Sequence, residues 1–138
     1  MNKVLNYLSL ARKAGLAELG EEPVGAVSRA GKAYLVAVAA DASDHTWRRA
    51  KSYVAGTQQQ CIRLGATKAE MGIAIGRQEL AVAAITDPAM ALAMVQALDE
   101  PEKNKAAIEV LSAKAEKAKK RQAEAKAHKR NVRFGKKK

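Results

Sequence analysis

Two continuous apolar runs constrain the fold of this chain more than any other feature. Residues 34–40 read YLVAVAA and residues 80–86 read LAVAAIT. Apolar residues that do not alternate with polar ones are typical of strands covered on both faces, as at the centre of a parallel sheet. Neither run approaches the roughly 20 apolar residues of a membrane-spanning helix, and the N-terminus lacks the long apolar stretch of a secretory signal. The runs therefore predict a buried sheet, with no membrane span or secretory signal.

Helix and strand signals alternate around these two runs. Short strands are expected over residues 16–19 and 61–64, which gives a four-stranded sheet. Five helix starts are predicted. They are a cap at Asn2 before a stripe from Val4, the segment from Gly20 to Pro23, a cap at Ser43 or Asp44, the capping box of Thr67 and Glu70, and Asp87 followed by Pro88. Strands that alternate with helices over short connections predict an α/β fold, specifically a three-layer α/β/α sandwich.

The positive charge of the chain is concentrated in its last third. Lys and Arg number 25 against 14 Asp and Glu, which gives a net charge of +11. Residues 1–98 carry a net +3 and residues 112–138 carry a net +10. We therefore expect one domain over residues 1–98, a linker over residues 99–104 and a basic Ala- and Lys-rich extension over residues 105–138.

The extension is expected to be helical or disordered. Residues 105–128 consist largely of strong helix formers, but beyond Leu111 they include no apolar residue larger than Ala. Such a helix cannot bury a face, so it should be exposed and mobile, and disorder is expected from Lys129 onward. A chain this basic is expected to bind polyanions. The RNA-binding residues predicted in the extension are Lys114, Lys117, Arg121, Arg130, Arg133 and Phe134.

The sequence offers little support for catalysis, metal binding or a cofactor. A single Cys61 and two His residues exclude a disulfide framework and a Cys/His zinc site, and Cys61 is expected to be a buried thiol in a reducing cytoplasm. Gly20 and Gly25 have the spacing of a phosphate loop, but Ala26 and Val27 stand where that loop needs Lys and Ser or Thr. We expect no enzyme activity, no metal and no cofactor.

Two further clusters have a simpler structural explanation. Asp41, Asp44 and His45 follow the central strand and could hold a metal or act as a base, but a helix start accounts for them more simply. Trp47 and Tyr53 are about 120° apart around their helix, so they are not expected to form one aromatic platform, and Trp47 is expected at the margin of the core.

Five segments taken together resemble a known family. The order LSLARKAG, GEEPV, AYLVAVAADAS, IRLGATKAEMGIAIG and LAVAAITD, spread over residues 4–98, is similar to the ribosomal-protein family called L-seven-Ae, which binds kink-turn RNA. The chain is most similar to the bacterial branch called YlxQ-like. This resemblance implies an α/β/α sandwich that binds RNA and carries out no chemistry.

The resemblance also implies where RNA would bind. The family grips RNA with the start of its second helix, in a G-T-N-E-x-x-K pattern, of which this chain keeps only Gly20. Glu21 and Glu22 stand at the Thr and Asn positions, and acids there oppose the attraction of a helix start for phosphate. Glu22 could instead accept hydrogen bonds from an unpaired guanine. The remaining predicted contacts are Arg29 in place of the lost lysine, Lys32, and Arg77 with Gln78 in the second contact loop.

Two main functional hypotheses remain open at this point. The first is a monomeric cytoplasmic protein that binds ribosomal or other structured RNA, associates with the ribosome or translation machinery and contacts no membrane. The second is a protein-interaction adaptor, in which the sandwich docks on a protein partner and the basic tail only tethers it to RNA. Independently of either hypothesis, Glu21 and Glu22 could simply favour a helix start, and Arg29 and Arg77 could be solvated surface residues. An enzyme of unrecognised type is the least supported alternative.

Overall fold

The structure, a computed structural model, describes residues 2–134, and it describes side chains over residues 2–129. The predicted four strands and five helices of residues 1–98 are confirmed, and a sixth helix follows them. In chain order the elements are α1 (Asn2–Lys13), β1 (Ala17–Leu19), α2 (Glu21–Arg29), β2 (Leu35–Val38), α3 (Asp44–Val54), β3 (Gln60–Arg63), α4 (Lys68–Ala74), β4 (Val82–Ile85), α5 (Pro88–Ala97) and α6 (Lys105–Phe134).

The sheet is mixed, with the strand order β1-β4-β2-β3. β2 pairs in parallel with β3, as expected, but β4 runs antiparallel to both β1 and β2, so the expectation of a parallel centre is wrong on that side. The short connection explains the reversal. Val38 pairs with both Arg63, where β3 ends, and Val82, where β4 begins. The seven-residue α4 does not span the length of the strands, so β4 begins at the same end of the sheet at which β3 ends.

Both apolar runs form fully buried strands, which confirms that they are covered on both faces. Every residue of β2 and β4 is buried, whereas β1 and β3 at the sheet edges are only partly buried. α2 contacts α3, and α1 contacts α4 and α5, so the helices form two groups around the sheet. The core consists of Ala, Val, Leu, Ile and Met, and the described Trp and Tyr side chains lie at its margin.

Two of the predicted helix caps are confirmed in detail, whereas Asn2, expected as a cap, is itself part of α1. The Ser43 hydroxyl, rather than Asp44, accepts a hydrogen bond from the Thr46 amide and caps α3. Thr67 and Glu70 form a complete capping box at the start of α4. These side chains satisfy backbone N–H groups that a helix start otherwise leaves unpaired.

The beginning of α6 packs against the sandwich, contrary to the expectation that the extension buries no face. Ala107 and Leu111 are buried, and α6 makes extensive contact with α5. Together with Ile108 they occupy positions i, i+1 and i+4, which lie on one side of a helix. From residue 119 to residue 129 every side chain is exposed, as expected. The helix continues through Phe134, so the disorder expected from Lys129 is not found over residues 129–134, and residues 135–138 lie outside the described part.

Candidate nucleic-acid interface

Four segments meet at one end of the sheet, which we call the acidic edge: residues 20–22, 41–45, 65–68 and 76–79. β1 and β2 run antiparallel to β4, and β3 runs parallel to β2, so β1, β2 and β3 all end at this end of the sheet. β4 begins at the same end, and the Gly20 amide donates to the Val82 carbonyl at 3.0 Å. These segments contain five acidic and two basic residues. Gly20, Glu21 and Glu22 are thereby brought to the same end as Arg77 and Gln78.

Glu21 links the start of α2 to α3. Gly20 has a positive φ of 97°, a backbone conformation that favours glycine, and it turns the chain from β1 into α2. One carboxylate oxygen of Glu21 accepts a hydrogen bond from the Thr46 hydroxyl at 3.0 Å, and the other lies 3.9 Å from Arg49 Nη1. Glu22, by contrast, is exposed. Glu21 therefore has a structural role, whereas the Glu22 carboxylate is available to a ligand.

A carboxylate of the chain itself also occupies the start of α4. Asp41 Oδ1 accepts a hydrogen bond from the Lys68 amide at 2.7 Å. An Asp side chain at this position supplies the negative charge that an external phosphate would otherwise supply. Together with Glu21, Glu22 and Asp44, it makes the acidic edge a better acceptor for N–H donors than a binding site for phosphate.

The loop that carries Arg77 and Gln78 is held firmly against α4. A side chain on Gly72 would place its Cβ 2.5 Å from the Glu79 Cα, so only glycine lets the loop lie this close. The Arg77 amide donates to the Gly72 carbonyl at 2.8 Å. The Arg77 and Gln78 side chains are exposed. Two exposed polar side chains on a fixed loop suit recognition, because little conformational freedom remains to be lost on binding.

Arg29 and Lys32 lie away from this edge. The nine residues of α2 separate its start from Arg29 by about 12 Å. Arg29 is exposed, and its Nη1 lies close to Gly25, which packs against Tyr53 of α3. The structure therefore does not group Arg29 and Lys32 with Gly20, Glu21 and Glu22.

The opposite end of the sheet, which we call the basic end, comprises residues 29–34, residues 57–59 and the stretch 113–122 of α6. A hollow of about 270 Å³ there is lined by Gly31, Tyr34, Gln58 and Lys114, among others. An adjoining hollow of about 350 Å³ is lined by Gln58, Lys114, Lys117 and one acid, Glu109, among others. Residues 29–34 and 57–59 include no acid. Lys114 and Lys117, predicted as contacts in the tail, thus lie at the same end of the sheet as Arg29 and Lys32.

The remaining predicted contacts extend from the basic end. Arg121 is exposed on α6. The side chains of Arg130, Arg133 and Phe134 lie outside the described ones, although their backbone belongs to α6. The predicted site residues therefore fall into two sets at opposite ends of the sheet rather than into one.

Some functional features could not be found from sequence. The contact between Glu21 and Thr46 spans 25 positions, and the approach of Gly72 to Glu79 depends on the tertiary path of the loop. The one signal in the sequence was Gly72 inside the short helix α4, because a glycine within a helix costs stability and often marks close packing.

Asp41, Asp44 and His45, which follow β2, do not form one site in the structure. Asp41 serves as a hydrogen-bond acceptor for α4, whereas Asp44 and His45 are exposed in the first turn of α3. Over the described residues, His, Cys, Asp and Glu form no group of three or more that could hold a metal. Within the same residues, each helix is too short or too polar to cross a membrane.

Comparison with known proteins shows the fold. The chain matches no protein-family model and no curated protein sequence. It is similar to the structure of a protein with unknown function from Bacillus halodurans C, with a TM-score of 0.67 and 28% identity over 72% of this chain and 100% of that one. It is also similar to the Giardia lamblia 15.5kD RNA binding protein, with a TM-score of 0.60 and 19% identity over 74% of this chain and 87% of that one.

These matches show the α/β fold that the resemblance to the L-seven-Ae family implied. The assignment to its bacterial YlxQ-like branch stays a prediction.

Proposed function

We propose that this chain is a non-catalytic RNA-binding protein that contacts bases at the acidic edge and phosphates at the basic end. The observation that carries the proposal is the exposed part of α6. Residues 114–129 include seven Lys or Arg against two acids, and they continue the basic end away from the sandwich. Lys and Arg that neutralise phosphates release counterions, which gives affinity for any RNA.

The fold supports the same function. The Giardia lamblia protein that shares this fold is described as RNA binding. The narrower part of the proposal rests on the resemblance to the L-seven-Ae family: the RNA is structured or ribosomal, of the kink-turn type, and the protein works with the ribosome or translation machinery in the cytoplasm.

The acidic edge supplies selectivity in this proposal. Exposed Glu22 lies in the first turn of α2, and an ionised carboxylate only accepts hydrogen bonds. The matching donors on RNA are the N1–H and amino group of an unpaired guanine or the amino group of cytosine. Arg77 and Gln78 add donors from the loop at the same end.

A protein-interaction adaptor is the second candidate function. The observation that favours it is that Glu21 and Asp41 already bind groups of the chain itself at the starts of α2 and α4. In that case the acidic edge would face a protein, and the tail alone would hold RNA.

Binding of the full chain to three RNAs separates the two candidates. Fluorescence anisotropy with a kink-turn RNA, a single strand and a plain duplex of equal length would be measured at several salt concentrations. The RNA-binding function predicts tighter binding to the kink-turn RNA at every salt concentration. Equal affinity for all three would favour the adaptor, because charge alone carries no sequence information. Absence of binding to any RNA would contradict both.

A further inference from the structure

A cationic cluster on the free edge of the sheet has no role in the function proposed so far. β3 is an edge strand, and α3 packs beside it. The Arg63 guanidinium lies 4.7 Å from the centre of the Trp47 ring. Lys51, one turn after Trp47 on α3, places its Nζ 5.5 Å from the same centre. Both cations therefore converge on one indole, at distances where the ring attracts positive charge.

Over the described residues, no carboxylate forms an ion pair with Lys51 or Arg63. The ion pairs over the described residues join Arg49 to Glu21 and Lys103 to Glu100, both elsewhere. Arg63 Nε and Nη2 are buried and have no hydrogen-bond partner among those residues. Buried guanidinium nitrogens normally donate to an acceptor, because a buried donor without one has lost its hydrogen bonds to water and gained nothing in return.

The neighbouring thiol does not act as the counter-ion. Burial raises the pKa of Cys61 to about 11, although Lys51 and Arg63 both lower it. At neutral pH the thiol is therefore uncharged. The Trp47 ring compensates part of the charge of Arg63. Lys51 is exposed and Arg63 is partly exposed, so an external anion can reach the two cations, although not the buried Arg63 Nε and Nη2.

We infer that Trp47, Lys51 and Arg63 bind an unpaired nucleotide of the RNA, with its phosphate at the two cations and its base beside the indole. This inference rests on the proposed RNA-binding function. An aromatic ring beside cations is the pattern by which proteins hold single-stranded nucleic acid. The cluster also lies near the acidic edge: Trp47 follows Thr46, which binds Glu21. A strand leaving the acidic edge over α3 would reach it.

The chain offers a direct reporter, because Trp47 is its only tryptophan. The full chain would be titrated with a ten-nucleotide single-stranded RNA, a duplex and a mononucleotide. Tryptophan emission would report on the cluster, while the anisotropy of labelled RNA reports on binding anywhere. We expect the single strand to quench Trp47 at the same midpoint as the anisotropy change, with no quenching by the duplex.

Variants locate the contact. Arg63→Gln is expected to weaken single-strand binding about 10-fold, as for the loss of one good nucleotide contact. The matched control is Arg48→Gln, which removes the same charge from an exposed residue of the same helix as Trp47. Lys51→Gln provides an exposed alternative if Arg63→Gln fails to fold, and it should also weaken single-strand binding.

The outcomes distinguish this inference from the proposed function. Anisotropy that reports binding of the single strand, with unchanged Trp47 emission and no effect of Lys51→Gln, would overturn the inference and leave RNA binding intact. Anisotropy that reports no binding of any RNA would overturn both. Equal quenching by the mononucleotide at the same concentration would overturn RNA as the ligand of the cluster.

Discussion

The acidic edge and the basic end belong to one small sheet but differ in how they use charge. At the acidic edge, Glu21 and Asp41 bind other groups of the chain, which fixes α2 and α4 in place. At the basic end, Lys114 lines two open hollows, Lys117 and Glu109 line one of them, and α6 continues with further cations. One end is preorganised and poor in positive charge, whereas the other is rich in positive charge and open.

In the proposed function, this difference indicates that the acidic edge provides selectivity between RNAs and that the basic end provides affinity for RNA. Phosphate contacts give affinity without information, and base contacts give information. The start of a helix can bind phosphate, but here carboxylates of the chain itself occupy the starts of α2 and α4. Such an arrangement is compatible with RNA binding if another region supplies the affinity for RNA. In the function proposed for this chain, the extension supplies that affinity.

Deleting residues 112–138 should have the largest effect, because it removes 12 of the 25 Lys and Arg. If about half of them contact phosphates, the slope of log affinity against log salt flattens by about five units on duplex RNA. Any preference for the kink-turn RNA should survive. Ala107 and Leu111 remain, so unchanged thermal unfolding serves as the control. An unchanged slope would mean that the tail does not contribute.

Restoring the family pattern should have the next largest effect. Glu22→Asn with Ala26→Lys should raise the preference for kink-turn RNA over duplex about 10-fold or more, since each good base contact contributes about 1–3 kcal/mol. Glu18→Asn with Ala106→Lys changes the charge equally at exposed positions outside both the acidic edge and the basic end, and it should leave the preference unchanged. If the preference is equal in both double variants, the acidic edge is not the family site.

Gly72→Ala tests how firmly the acidic edge is held. The added methyl meets the Glu79 backbone, and the free energy of unfolding should fall by about 1–3 kcal/mol in urea denaturation. The preference between RNAs should fall with it, because the loop with Arg77 and Gln78 must move. Ala69→Ser, an exposed change on the same helix, should alter stability by less than about 0.5 kcal/mol. Equal stability of the two variants would contradict the close approach.

The smallest effect is expected from Thr46→Val, which removes the hydrogen bond that the Thr46 hydroxyl donates to Glu21 and the exposed one that it accepts from the Ser43 hydroxyl. Urea denaturation should show a loss of about 1 kcal/mol. Ser52→Ala is the control, since the Ser52 hydroxyl donates only to the Arg49 carbonyl on its own helix. A larger loss in Ser52→Ala than in Thr46→Val would mean that Glu21 does not join α2 to α3.

Local patterns predicted most of the fold, whereas the arrangement of the site depended on contacts between distant residues. The buried strands and the capping residues Ser43 and Thr67 followed from short stretches of sequence, because caps and burial periodicity are local. The reversal of β4 was missed because a continuous apolar run indicates burial but not direction. The grouping of Lys114 with Gly31 and Tyr34 required the position of α6, and the approach of Arg63 to Trp47 required the pairing of β3 with the sheet.

The most direct test of the division between the two ends compares the salt dependence of two variants of the full chain. Lys32→Gln with Lys114→Gln removes two cations from the basic end, and Arg77→Gln removes one from the acidic edge. The slope of log affinity against log salt on duplex RNA should flatten by about 1.8 units in the first variant, the effect of two phosphate contacts, and stay unchanged in the second. A flattened slope in Arg77→Gln together with an unchanged slope in the double variant would place the phosphate contacts at the acidic edge and contradict the account.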